Sequence, residues 1–175
     1  ENKKVRAAQK GRPVPEWKDE LEFLGDPKGN PNIAWPMALF DCSPISDGAA
    51  VALLVSEDIA KEFSNNPLYL IGSGQASDGA LPDRETLSSI PAAVIASKQA
   101  YAMADLKPED IDLAEVHDCF TIAEIMASED LGFFPNGEGW KAVMEGKTTR
   151  DSQRPINTSG GLKAKGHPVG ASGVG

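Results

Sequence analysis

The sequence predicts an α/β fold in which a mostly parallel sheet carries crossover helices. Three observations lead to this class. Apolar runs of strand length occur without polar alternation, which is typical of strands covered on both faces. Segments with helical signals alternate with these runs, and that order favours parallel strands joined by right-handed crossovers. Clusters of glycine, asparagine and proline separate the segments, as expected for turns.

The elements follow one another in strand–helix pairs. The predicted strands are Ala49–Val55, Leu68–Ile71 and Ile111–Val116. The predicted helices are Glu57–Phe63, Pro91–Met103 and a third that runs from Thr121 to a stop at Gly132. Proline suits the first turn of the middle helix, where the spacing of positions 94, 95, 98 and 102 predicts one packed face.

A histidine lies at the junction between the third predicted strand and the helix that follows it. Thr121 and Glu124 have the spacing of a capping box. Asp118 could orient a partner of the histidine or cap the same helix, and we expect the cap. His117 then lies at the carboxyl end of a strand and directly before a helix. Open α/β sheets bind their ligands at this position.

Two segments lie outside this alternation. Residues 1–36 are polar and rich in proline, with helix-compatible stretches at 3–10 and 16–24, and are read as a peripheral connection. Residues 132–156 form an irregular excursion with a short helix predicted at Glu138–Met144. Its length fits either a functional, partner-facing loop or a solvated surface excursion.

Composition excludes several classes of protein. A net charge of −9 and a pI near 4.7 argue against nucleic-acid binding, which needs a basic surface. No apolar run reaches the length of a membrane span, so we expect a soluble, cytoplasmic protein of one domain. Cys42 and Cys119 fit neither a disulfide framework nor a zinc site, and we expect buried free thiols.

Both histidines of the chain lie in distinctive motifs. His167 occurs in the glycine-rich run Asn157–Gly173, and His117 in Ala114–Phe120, which contains His-Asp-Cys-Phe. The first resembles the histidine loop of thiolases. The second resembles the box that archaeal and sterol carrier protein type thiolases have in place of Asn-Glu-Ala-Phe. A third segment, Phe40–Ala50, resembles the entry to the thiolase C-terminal domain, and the resemblance runs from about Ile33 to the last residue.

The resemblance implies a role for each of five residues. His167 would activate a nucleophilic cysteine and help hold the thioester oxygen, and His117 would hold or replace a water in the oxyanion hole. Ser43 would contact the pantetheine arm of coenzyme A, Phe120 would line the pocket, and Gly166 would let the loop approach the thioester. Without the resemblance, structural histidines, a turn serine and a core aromatic are the simpler interpretations.

The resemblance also implies an incomplete thiolase-like layered fold. Residues 1–40 would be the end of the loop region and a connection, and residues 41–175 a truncated C-terminal domain. The nucleophilic cysteine would belong to an N-terminal domain and a second catalytic cysteine would follow Gly175. Cys42 and Cys119 match non-catalytic positions, so we expect the chain alone to be inactive.

The implied reaction is the formation or cleavage of 3-oxoacyl-CoA, with no metal or redox cofactor. The implied partners are an acyl-CoA substrate and the N-terminal half, as the same or another chain, in a homodimer or tetramer. One alternative is a thiolase-like aldolase that acts on 3-hydroxyacyl-CoA and pairs with a small OB-fold protein. Another is a non-catalytic acyl-CoA-binding or assembly subunit.

Overall fold

The computed structural model of the chain describes residues 2–11 and 16–175. The chain divides into two compact units, Glu1–Cys42 and Ser43–Gly175. Among the described residues, no helix combines the length and the apolar character needed to span a membrane. The domain boundary expected between residues 40 and 41 stays a prediction.

The first unit contains short elements around an aromatic cluster. Its elements are helix α1 (Asn2–Gln9), helix α2 (Glu20–Gly25), strands β1 (Asn32–Ala34) and β2 (Met37–Ala38), which pair antiparallel, and a 3₁₀ turn at Leu39–Asp41. Phe23 packs edge-to-face against both Trp17 and Phe40, with ring centroids 4.8 Å apart in each pair. The backbone N–H of Lys28 and the indole N–H of Trp17 lower the pKa of Asp26 by bonding its carboxylate.

The second unit contains the remaining helices. They are α3 (Ala60–Phe63), α4 (Pro91–Ala104), α5 (Thr121–Asp130), α6 (Gly139–Met144) and α7 (Gly161–Lys165), with 3₁₀ turns at Glu57–Ile59, Leu81–Asp83 and Pro108–Asp110. The helices predicted at 57–63, 91–103 and 138–144 are therefore confirmed to within a residue or two. The helix predicted from Thr121 is also confirmed, and it ends just before Gly132, whose φ is +81°.

Helix α4 packs through small residues instead of the predicted apolar face. A Cβ at Gly72 or Gly74 would collide with the backbone of Ala100 or Ala96, so the two glycines let residues 72–74 lie directly on the helix. Ile95, which belongs to the predicted face, is 48% exposed. The prediction of a face at 94, 95, 98 and 102 is wrong because close backbone contact, not apolar bulk, selects the packed side.

A buried carboxylate joins α5 to the start of α4. Asp130 accepts hydrogen bonds from the Ser89 hydroxyl at 2.6 Å and from the Ile90 N–H at 2.7 Å. Ile90 is the N-cap residue of α4 and has no capping side chain of its own. Asp130 thus supplies a negative charge at the N-terminus of a helix it does not belong to, which is the favourable end for an anion.

Two of the three predicted strands are not formed. In the described residues the only sheet is the β1–β2 pair, and no backbone hydrogen bond joins 49–55 or 68–71 to another segment. Large side chains there are exposed, including Val51 (93%) and Leu68 (95%). An apolar run becomes a strand only when a neighbouring backbone completes its hydrogen bonds, and the described segments supply none. The predicted parallel sheet is therefore not observed among residues 2–11 and 16–175.

The third predicted strand, Ile111–Val116, is reduced to a single parallel bridge. Ala114 pairs with Ile156: the N–H of Ala114 donates to the Pro155 oxygen, and the N–H of Asn157 donates to the Ala114 oxygen. The predicted parallel direction is present here, but the pairing stops after one residue. The bridge still connects the segment before His117 to the segment before the glycine-rich loop.

The capping-box prediction is wrong. Helix α5 begins at Thr121 with Phe120 in the N-cap position, so Thr121 lies one residue too late to cap it. Glu124 instead accepts a hydrogen bond from the Asn157 side chain. Asp118 is not the N-cap residue of α5 either, and its carboxylate accepts the Leu162 N–H at the start of α7. Both carboxylates accept hydrogen bonds from the glycine-rich segment, which is distant in sequence, and local spacing does not predict such partners.

Candidate functional site

Three segments of the second unit meet at one place. The Ser43 N–H donates to the Cys119 oxygen at 2.9 Å, and the His167 N–H donates to the Pro44 oxygen at 3.0 Å. Ile45 and His167 form an isolated parallel bridge. The segment that begins at Ser43 therefore lies between the His-Asp-Cys-Phe box and the glycine-rich loop and is bonded to both.

The two histidine side chains are neighbours. The ring centroids of His117 and His167 are 5.0 Å apart, with an angle of 67° between the ring planes. His167 is half-buried and its Nδ1 lies 2.6 Å from the Ser172 hydroxyl, whereas His117 is exposed. The Ser172 hydroxyl also reaches the Pro168 oxygen at 3.4 Å. When Ser172 donates to Pro168 and accepts from Nδ1–H, the Nε2 atom of His167 carries the free lone pair.

Two glycines of the loop have φ values that other residues rarely adopt. Gly161 has φ +59° and Gly166 has φ +82°. A Cβ at Gly161 would fall on the Asp118 carboxylate, and one at Gly166 would fall on the Ser46 side chain. The glycines thus allow both a left-handed backbone and close approach of the neighbouring segments, which place His167 beside His117.

Glu115 forms hydrogen bonds with the N-terminal end of the glycine-rich segment. Its carboxylate accepts hydrogen bonds from the Ser159 hydroxyl at 2.6 Å, the Ser159 N–H at 2.9 Å and the Thr158 hydroxyl at 3.1 Å. Partial burial acts to raise the pKa of Glu115, but these donors and the charge of Lys165 lower it more, so the pKa is below its usual value. The carboxylate therefore stays ionised while it anchors the loop.

Glu124 has the opposite electrostatic character. Burial raises the pKa of its carboxyl, and the nearby Asp118 and Glu115 charges raise it further, while the hydrogen bond from Asn157 opposes both. The Nδ2 of Asn157 lies 2.8 Å from Glu124, and the Oδ1 of Asn157 accepts the Val116 N–H at 2.8 Å. The pKa values of Glu115 and Glu124 are therefore shifted in opposite directions, although both carboxyl groups bond the same segment at residues 157–159.

A small cavity of about 180 Å³ opens beside His117. Its other lining residues include Asp118, Leu162, Lys165 and Ser172. Pockets for drug-sized ligands usually measure about 300–1,000 Å³, so this cavity is too small to enclose a whole ligand of that size. In the described part of the chain, no group of three or more histidine, cysteine, aspartate or glutamate side chains could hold a metal ion.

All five residues that the sequence predicts for the site lie near this junction. The rings of His117 and His167 are in contact, and the backbones of Ser43 and Gly166 belong to the joined segments. Phe120, 44% exposed, is the last residue of the His-Asp-Cys-Phe box. Their location does not test the role predicted for each of the five residues, so the roles stay predictions. Cys42 and Cys119 are not joined in a disulfide and both are half-buried, so the expectation of full burial is not met.

Sequence reasoning missed four side chains that organise the site. They are Glu115, Glu124, Asn157 and Ser172. Ser172 stands five residues after His167 in the same motif, so the motif itself was a usable signal. The other three act between segments 33 to 44 residues apart, and no local pattern marks such pairs.

The comparisons with known proteins agree on one family. The family model for the thiolase C-terminal domain matches residues 74–175. An acetyl-CoA acetyltransferase of Methanothermobacter thermautotrophicus is 52% identical over 143 residues, which cover 81% of this chain and 37% of the relative. Sterol carrier protein 2 of Bos taurus is 37% identical over 144 residues, 79% of this chain and 26% of the relative.

The structural comparison agrees with the sequence comparisons. A solved structure described as an Ltp2-ChsH2(DUF35) aldolase is similar with a TM-score of 0.58 and 25% sequence identity, covering 74% of this chain and 35% of that one. The chain spans about a third of the length of the curated relatives it matches.

Proposed function

The chain belongs to the thiolase family and has its α/β type of fold, and on that premise we propose that it is part of an acyltransferase of the acetyl-CoA acetyltransferase kind. The reaction would be the formation or cleavage of 3-oxoacyl-CoA by Claisen chemistry on coenzyme A thioesters. The observation that carries the proposal is the contact of His117, which lines a small cavity, with His167, since the centroids of the two rings are 5.0 Å apart.

His167 is assigned the role of general base. Its Nε2 takes the proton of a cysteine thiol that lies outside residues 1–175, and the thiolate attacks the thioester carbonyl. In this acyl-transfer step a carbon–sulfur bond to the enzyme forms, the bond to coenzyme A breaks, and the His167 imidazolium gives its proton to the departing thiolate. The contact between Nδ1 and Ser172 supports this role because, when Ser172 accepts from Nδ1–H, the Nε2 atom carries the free lone pair that a general base needs.

His117 is assigned to the oxyanion. Claisen chemistry develops negative charge on a thioester oxygen, and a donor aimed at that charge lowers the barrier. An exposed imidazole at the mouth of the cavity can donate directly or hold a water that does. Ser43, Phe120 and Gly166 would contact the pantetheine arm, the acyl group and the thioester. This chemistry needs no metal or redox cofactor.

The activity is tested on the complete polypeptide with acetoacetyl-CoA and free coenzyme A. We expect thiolytic cleavage to acetyl-CoA, and a loss on the order of 10²-fold or more in turnover for His167→Ala. Gly170→Ala is the matched control in the same loop, since a Cβ there meets no atom within 4 Å. Equal turnover in wild type and His167→Ala would remove this histidine from the mechanism.

An aldolase is the second candidate, favoured by the structural similarity to the Ltp2-ChsH2(DUF35) aldolase. Such an enzyme would cleave a 3-hydroxyacyl-CoA without an enzyme-bound acyl group and would pair with a small OB-fold partner. The two candidates differ in one assay. Cleavage of a 3-hydroxyacyl-CoA in the absence of free coenzyme A supports the aldolase, while cleavage of acetoacetyl-CoA that requires coenzyme A supports the acyltransferase. Binding of acetyl-CoA without either reaction would indicate a non-catalytic subunit.

The exposed apolar surface of residues 49–71 supports a further proposal about assembly. Leu53, Leu54, Leu68 and Leu70 are each more than two-thirds exposed, and residues 53–70 line an open cavity of about 700 Å³. Each large aliphatic side chain gains about 1.5–3 kcal/mol on burial, so a surface of this kind marks an interface. The proposed occupant is the N-terminal half of the thiolase subunit, as the same or another chain, in a cytoplasmic homodimer or tetramer.

Sedimentation of residues 1–175 expressed alone tests the assembly proposal. We expect self-association or aggregation, and a defined complex once the N-terminal half is added. A soluble, monodisperse monomer with a cooperative melt would contradict it, because the apolar surface would then be stable in water.

A further inference from the structure

Asn157 connects three segments of the site through one buried residue. Its Oδ1 accepts the Val116 N–H at 2.8 Å, its Nδ2 donates to Glu124 at 2.8 Å, and its own N–H donates to the Ala114 oxygen at 2.8 Å. Asn157 is 9% exposed and has φ +53°, a left-handed conformation that asparagine tolerates better than most residues. Every polar group of this residue is thus engaged in fixing neighbouring backbone or α5.

We propose that Asn157 and Glu124 are positioning residues that set the geometry of His117 relative to His167. Val116, which Asn157 holds, directly precedes His117 in the chain. Asn157 also begins the segment that leads through Gly161 and Gly166 to His167. The Asn157 side chain therefore sets the backbone positions from which both segments lead to their histidines. Glu124, on α5, fixes the orientation of that side chain. The proposal rests on the function proposed above for the two histidines.

The polar character of the pair supports this interpretation. A half-buried carboxyl on a helix costs free energy unless it is bonded, and an apolar residue at position 124 would fill the same space at lower cost. The carboxyl also faces the like charges of Asp118 and Glu115, a further cost. A fully satisfied polar network, however, specifies one arrangement more sharply than apolar packing does. Precision at the histidines is the property that such an arrangement provides.

The test uses four variants of the complete polypeptide. Asn157→Gly keeps the left-handed backbone accessible and removes both side-chain hydrogen bonds. Glu124→Ala removes the acceptor, whereas Glu124→Gln retains an oxygen that can accept from Asn157. Asp130→Asn is the matched control because Asp130 is also a buried, hydrogen-bonded acid on α5 but bonds the start of α4.

Two readouts separate positioning from general stability. The first is kcat and KM for acetyl-CoA. We expect kcat to fall on the order of 10-fold or more in Asn157→Gly and Glu124→Ala, with KM changed less than about 2-fold, because a small misplacement of catalytic groups affects the reaction step most. Glu124→Gln should stay within about 3-fold of wild type. The second readout is the imidazole chemical shifts of His117 and His167, which should move in the first two variants and remain unchanged in Asp130→Asn.

Three results would overturn the proposal. One is a kcat near wild type in both Asn157→Gly and Glu124→Ala. Another is an equal fall of kcat in Asp130→Asn, which would indicate a general loss of stability. The third is unchanged imidazole shifts in Asn157→Gly. If Asn157→Gly does not fold, the contrast between Glu124→Ala and Glu124→Gln decides. If the wild type turns over no thioester, the proposed function fails, and the imidazole shifts alone decide the positioning role.

Discussion

Replacement of Gly161 by alanine is the perturbation whose magnitude the structure sets most clearly. Gly161 is buried and has φ +59°, and its Cα lies against the Asp118 carboxylate. A left-handed conformation costs a residue with a Cβ about 1–2 kcal/mol. The added methyl group must also displace Asp118, whose carboxylate accepts the Leu162 N–H at 2.9 Å. Loss of a hydrogen bond to a charged group costs about 1.5–3 kcal/mol, so the two effects together amount to about 2.5–5 kcal/mol.

The free energy of unfolding of the complete polypeptide, from urea titration, measures this effect. Gly170→Ala is the control, since Gly170 lies in the same loop and a Cβ there meets nothing within 4 Å. We expect Gly161→Ala to lower the free energy of unfolding by about 2.5–5 kcal/mol and the control to change it by less than about 0.5 kcal/mol, as for most surface substitutions. Equal effects of the two substitutions would refute the reasoning, because backbone conformation and the Asp118 contact would then be irrelevant.

Other predictions follow from the same site. His117→Asn should reduce turnover by less than about 10-fold, since an amide can also hold an oxyanion water, whereas His117→Ala should cost more; steady-state kinetics that rank the two equally would contradict this. Burial raises the pKa of Glu124, so its stabilising contribution is full below the unfolded value of about 4.5 and is lost as the pH rises through the folded value. Glu124→Gln should therefore gain stability relative to wild type as the pH rises above the unfolded value of about 4.5, and urea titrations that show the same difference at every pH would contradict this.

The sequence predicted best what depends on local pattern. Helix α4 follows from Pro91 at its first turn, and the proximity of the two histidines follows from the motif resemblance. Neither required knowledge of distant contacts. The predicted strand at Ala49–Val55 failed for the converse reason, because a strand exists only with a partner backbone, and none of the described segments provides one.

Side-chain partners were the hardest to predict. Thr121 and Glu124 have capping-box spacing, yet helix α5 starts one residue too early for that box and Glu124 bonds Asn157, 33 positions away. Asp118 likewise accepts the Leu162 N–H, 44 positions away, and is not the N-cap residue of α5. In both cases the carboxylate accepts a hydrogen bond from an N–H group that is distant in sequence, where local spacing predicted an N–H group of the adjacent helix. Local patterns consider only donors within a few residues, so they identified Glu124 and Asp118 as hydrogen-bonding residues but predicted the wrong partners.

The central claim is that His167 acts as general base for a cysteine nucleophile outside residues 1–175. Trapping the acyl-enzyme tests this claim most directly. The complete polypeptide is mixed with acetyl-CoA, quenched in acid and analysed by peptide mass spectrometry. The account predicts one added acetyl group on a cysteine outside this segment, and a much slower appearance of that adduct in His167→Ala than in Gly170→Ala. An adduct on Cys42 or Cys119, or no adduct in an enzyme that still cleaves a coenzyme A thioester, would contradict it.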